Sequence, residues 1–120
     1  MKQKQHFDAI VVGAGPSGNA AAYTMAKAAL EMATRSLALE LAPKVRVNAV
    51  APSAVPTEGT QRNRNVERDA QRVARTPLGR LGTVDDIASI VCFLAGDDSG
   101  FLTGQTIAAD GGYTTANLLG

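Results

Sequence analysis

The chain has 120 residues, enough for one domain that buries a modest fraction of its surface. Apolar residues make up 45% and charged residues 19%, and a net charge of +1 lacks the basic excess of a nucleic-acid binder. No apolar run is long enough to span a membrane, no signal peptide is evident, and Cys92 has no partner for a disulfide, so a cytoplasmic protein without membrane contacts is expected.

Met1 to Phe7 is a polar, flexible lead-in, and its His6 is expected to be solvated rather than bound to a metal. Asp8 to Val12 is apolar on both faces, as a buried parallel strand should be. It runs into Gly13-Ala14-Gly15-Pro16-Ser17-Gly18 and then a helix from about Pro16 to Leu41. A strand, GxGxxG and a helix in that order is the context in which the motif binds phosphate. Gly13 allows the turn, Gly15 the approach of a pyrophosphate and Gly18 close helix–strand packing. The helix's first N–H groups would face the anion. Along this helix Ala22, Ala26, Ala29, Ala33 and Leu37 form a stripe expected against the sheet. Met25, Met32 and Leu39 form a second stripe, which reads either as extra core or as a helix–helix contact with another copy.

Val45 to Val50 is the second strand, ended by the loop Ala51-Pro52-Ser53-Ala54-Val55-Pro56-Thr57. Residues 57–82 carry six arginines, three acids and no lysine with little periodicity, and read as a mobile, solvated flap. Thr83 caps the next helix, with Asp85 and Asp86 in its first turn, Ile87, Ile90, Val91 and Leu94 inward, and an end near Gly96. Cys92 reads as a small buried hydrophobe in that helix. Gly104 to Ala109 is the third strand, and Asp110-Gly111-Gly112 turns the chain into a tail. The fold class is α/β: a single three-stranded parallel Rossmann-like half-domain, β-α-β-α-β, over residues 1–120. Right-handed crossovers would place both helices on one sheet face and leave the other bare, so completion by oligomerisation is expected.

Tyr23 and Lys27 are an i, i+4 pair on the long helix. A neighbouring ammonium favours the ionised form of a phenol, whose ordinary pKa is about 10, and so fits it for acid–base work. The stretches YTMAKAALEMATRSLALELAP, VRVNAVAPSAVPT, PLGRLGTVDDIASIVCFLAGD and GQTIAADGGYT resemble, in order, the C-terminal half of short-chain dehydrogenases/reductases over about residues 22–113. Residues 7–29 resemble the start of FAD-dependent oxidoreductases. The first resemblance implies that Tyr23 exchanges a proton with the substrate oxygen. It implies that Lys27 holds the nicotinamide ribose and that Val55 and Thr57 meet the carboxamide. Gly13, Gly15, Ser17 and Gly18 are the candidate phosphate contacts. Ser53 stands where the family has glycine, and Asn48 is read as structural. NAD or NADP is the implied cofactor, FAD the alternative. No acid follows the second strand to hold a ribose, and the strand Ala9-Ile10-Val11 stands where the family carries its catalytic serine. The expected function is therefore that of a dinucleotide-binding oxidoreductase fragment or chimera that assembles with itself. The alternatives are a non-catalytic chimera that only folds and oligomerises, and a FAD-binding module.

Overall fold

The structure, a computed structural model, describes residues 7–12, 21–61 and 64–119. Three parallel strands, β1 (Phe7–Val12), β2 (Val45–Pro52) and β3 (Thr106–Ala109), lie in the order β1-β2-β3. Phe7 pairs with Val45 and Val12 with Val50, while Ala49 pairs with Thr106 and Pro52 with Ala109. β1 leads to β2 through α1 (Ala21–Leu41). β2 leads to β3 through α2 (Glu58–Gln61), α3 (Val66–Ala74), α4 (Val84–Ala95) and a 3-10 turn at Asp97–Ser99. A last helix, α5 (Tyr113–Leu119), follows β3.

β2 is the centre of the molecule, buried without interruption from Val47 to Ala51. Successive side chains of a strand point to opposite faces, so this burial means that both faces are covered. Leu30 of α1 packs on Ala49 and Ala51, which marks that face as the one under α1. The small side chains Thr34 and Ala38, both buried, let the helix lie close to the sheet. On the other face Arg46 reaches the C-terminal end of α4, donating to the carbonyls of Leu94 at 2.9 Å and Gly96 at 3.3 Å. The helices therefore flank the sheet on opposite faces, and the expectation of a bare face is corrected. Both crossovers step the same way across the sheet, so landing on opposite faces gives them opposite hands. The usual right-handed rule is therefore broken in one of the two.

The stripe of α1 against the sheet also differs from expectation. Lys27, Leu30, Thr34 and Ala38 are buried or half-buried, whereas Ala26, Ala29, Ala33 and Leu37 are exposed. Alanine periodicity alone does not say which of two apolar stripes meets the sheet. Leu30 and the small Thr34 and Ala38 fit the shallow surface of Ala49 and Ala51 better. Met25, Met32 and Leu39 point outward, at 64%, 59% and 83% exposure.

Residues 57–82, read as a mobile stretch of little periodicity, contain α2 and α3. Asn65 caps α3 by accepting from the Arg68 N–H at 3.0 Å, a local signal hidden among the charges. α4 begins and ends as its sequence requires. Thr83 accepts from the Asp86 N–H at 3.1 Å, and the Asp86 carboxylate accepts from the Thr83 N–H at 2.8 Å. Ile87, Ile90 and Val91 are half-buried and Leu94 is buried, but Cys92 is exposed, contrary to its reading as a core residue. Its place, two residues from Leu94, rotates it about 200° from that buried position.

Candidate functional site

Parallel strands bring their carboxyl ends to one edge, where open α/β sheets bind ligands. Three segments of this chain start from that edge. The N-terminal end of α1, with Tyr23 and Lys27, follows β1. The loop 53–57 follows β2, and Asp110-Gly111-Gly112 follows β3. Ser53 N–H donates to the Ala109 carbonyl at 3.2 Å, tying the second segment to the third. Lys27 is half-buried on the sheet side of α1. Tyr23 is one helical turn before it, and its side chain lies outside the described residues. Gly13, Gly15, Ser17 and Gly18, the candidate phosphate contacts, also lie outside the described residues.

Val55 is half-buried and Thr57 exposed at the start of α2. Thr57 N–H donates to the Thr60 hydroxyl at 2.9 Å, and the two hydroxyls lie 3.1 Å apart. Thr57 is therefore held by the helix it precedes, with its side chain open to solvent. Gly82 closes the other end of this connection, donating its N–H to the Ala54 carbonyl at 3.1 Å. A side chain there would meet Val55 Cγ2 at 3.0 Å, which is why glycine suits this close approach. No non-glycine residue among those described has positive φ, so Ser53 adopts its loop without left-handed strain.

Two cavities open beside the loop. One, of about 330 Å³, lies between Ser53, Ala54, Leu78, Arg80, Ile90 and Asp110. The other, of about 310 Å³, lies between the stretch Ser53 to Pro56 and the arginines of α3. In the first, Arg80 donates to both oxygens of Asp86, at 2.6 and 3.0 Å. The Arg80 hydrogen bond, with further bonds from Thr83, holds the Asp86 carboxyl well below the usual carboxylate range. Asp110 has a different balance. Burial pushes its carboxyl up, but hydrogen bonds from Thr114 and from the Gly112 N–H outweigh this and bring it below its ordinary value. Those bonds cap α5, so the segment read as a tail is helical. Gly112, at φ 87°, faces Pro77, whose Cγ would stand 2.9 Å from an added Cβ.

Asn48 is buried and structural. It donates to the Leu102 carbonyl at 2.9 Å and accepts from the Gln105 N–H at 3.1 Å, aligning β3 for pairing. Sequence reasoning missed Arg46, Asn65, Arg68, Arg72 and the Arg80–Asp86 pair. For Asn65 and Asp86 the capping rules offered a signal. For Arg46 none exists, because its partners lie more than forty positions along the chain. Among the described residues no group of acidic, histidine and cysteine side chains could hold a metal, and no helix is long and apolar enough to cross a membrane.

Residues 9–114 match the family described as enoyl-(acyl carrier protein) reductase. An uncharacterized oxidoreductase of Methylorubrum extorquens is 50% identical over 95 residues, which cover 77% of this chain and 38% of that protein. The 3-oxoacyl-[acyl-carrier-protein] reductase of Escherichia coli is 39% identical over 117 residues, 93% of this chain and 48% of that one. A gluconate 5-dehydrogenase from Burkholderia cenocepacia, solved with NADP and tartrate, superposes with a TM-score of 0.81 at 29% identity, covering 92% of this chain and 46% of that one. The chain thus spans less than half the length of these relatives. The family match begins at Ala9 and includes the residues Gly13 to Gly18, so the comparisons lend no support to a chimera or a flavin module. With the ordered motifs, the parallel sheet and the Tyr23–Lys27 helix, this match shows that the chain belongs to the short-chain dehydrogenase/reductase family.

Proposed function

We propose that this chain binds NAD or NADP at the carboxyl edge of its sheet, as part of an oxidoreductase of the short-chain type. The observation that carries this reading is the gathering of α1's first turns and the loop 53–57 at one edge, with Lys27 half-buried on the sheet side. These residues fit the nicotinamide end of a dinucleotide. Lys27 offers N–H donors to ribose hydroxyls, and the exposed Thr57 hydroxyl and the backbone around Val55 offer partners for a carboxamide. The adenosine end is fitted less well, since Ala51 and Pro52 end β2 where a ribose-binding acid would stand. When bound, the nicotinamide supplies or accepts the hydride. Tyr23 then holds the proton exchanged with the substrate oxygen, and Lys27, one turn away, favours the phenolate by its charge. Tyr23 and Lys27 alone do not sustain turnover, because no serine occupies the third position.

Assembly belongs to the same proposal. With both sheet faces covered, the most exposed large apolar side chains of α1 are Met25, Met32 and Leu39, its outward arc. A second copy placing the same helix against it makes a two-fold, self-complementary contact. Titration of NADPH fluorescence tests the binding reading. Saturable binding is expected in the wild type and is lost in Lys27→Ala, and its absence in the wild type refutes it. NADPH oxidation with carbonyl substrates is expected to equal that of a Tyr23→Phe control, and a rate lost in that control refutes the statement on turnover.

A further inference from the structure

A charged side of α3 borders the cavity beside the loop 53–57. Asn65, Arg68, Asp69 and Arg72 share one helical stripe and line the cavity of about 310 Å³, with Ser53, Ala54, Val55 and Pro56 opposite. Val66, which burial would ordinarily turn inward, is 79% exposed. Val73, two turns on, is half-buried, and the Arg68 and Arg72 side chains are exposed beside the cavity, open to a solute.

The charges along the stripe do not cancel. Arg64, just before the helix, pairs with Asp69 and neutralises the one carboxylate lining the cavity. Among the described residues neither the Arg68 nor the Arg72 guanidinium has an ion pair or a side-chain hydrogen bond. Like charges one turn apart repel, and an anion lying between them removes that repulsion. A guanidinium also presents paired N–H groups in the geometry of carboxylate and phosphate oxygens.

We infer that Arg68 and Arg72 form a subsite for a phosphate or carboxylate group that enters beside Val55. The identity of the ligand rests on the proposed function. Its anionic group comes either from a substrate, at the end remote from its reacting carbon, or from the cofactor's own phosphates.

The test is titration of the 120-residue chain at low salt with inorganic pyrophosphate and, separately, with glutarate, read from the arginine Nε–Hε signals by NMR. Saturable shifts are expected at Arg68 and Arg72. Binding should weaken by about tenfold or more in the Arg68→Gln, Arg72→Gln double variant and stay unchanged in Arg35→Gln, on α1. Both cavity arginines are exposed, so the double variant should keep the wild-type melting temperature. Arg72→Lys, which keeps the charge without the fork, should bind at an intermediate level. No saturable shift, or equal binding by the double variant, overturns the subsite. Competition by NADPH assigns it to the cofactor phosphates, and undiminished anion binding at saturating NADPH assigns it to a substrate. NADPH binding without anion binding refutes the subsite alone, whereas anion binding without NADPH binding refutes the proposed function alone.

Discussion

Arg46 donates to the Leu94 carbonyl at 2.9 Å, joining the central strand to the C-terminal end of the helix on its far face. The same guanidinium also donates to the Ser99 carbonyl at 2.9 Å and the Ser99 hydroxyl at 3.0 Å. A cation here meets the negative end of the α4 dipole and the carbonyls that the helix leaves unpaired. Arg46→Met keeps much of the packing and leaves those carbonyls without a donor. The expected loss is about 2–3 kcal/mol, since hydrogen bonds to charged groups are worth more than neutral ones. Urea unfolding should show a lower midpoint with an unchanged slope.

The Asp86 carboxyl ionises in the folded chain well below its ordinary range, owing to Arg80 and Thr83. A lowered folded-state pKa means that the unfolded chain binds the proton first as pH falls. The stabilisation is therefore complete above the unfolded value of about 3.9 and is lost as pH drops through the folded one. Asp86→Asn should lower the melting temperature at pH 7. The gap between variant and wild type should narrow below about pH 4, as thermal melts across a pH series would record.

Gly104 and Gly111 both have positive φ, 71° and 61°, but their surroundings differ. A Cβ on Gly104 would meet Ala38 Cβ at 3.4 Å, an ordinary contact, whereas one on Gly111 would stand 2.7 Å from Thr76 Cγ2. Gly104→Ala should cost about 1–2 kcal/mol, the price of the left-handed backbone alone. Gly111→Ala should cost more, because the turn carrying the buried Thr76 must also shift. Denaturant midpoints of the two variants would rank them.

Met32, at 59% exposure, lies in the middle of the outward arc of α1. Each large side chain left in water forgoes about 1.5–3 kcal/mol of burial. Light scattering at micromolar concentration should give at least a dimer for the wild type and a smaller species for Met32→Glu. A wild-type monomer would refute the assembly reading.

Much of the fold was legible in the residues because it depends on near neighbours. The extent of α4 follows from Thr83, Asp86 and Gly96, and that of α1's end from Leu41 and Pro43, since caps and breakers act within a turn. Three strands with long connections imply a parallel sheet for the same local reason, and the Tyr23–Lys27 spacing follows from helical pitch. The tertiary structure decided what depends on residues far apart. Periodicity marks two apolar stripes on α1 but cannot choose between them. The contact of Leu30 with Ala49 and Ala51 does. Nothing near Arg46 announces that α4 lies on its face, because the carbonyls of Leu94 and Ser99 are far along the chain and Arg46 meets them only once it is folded.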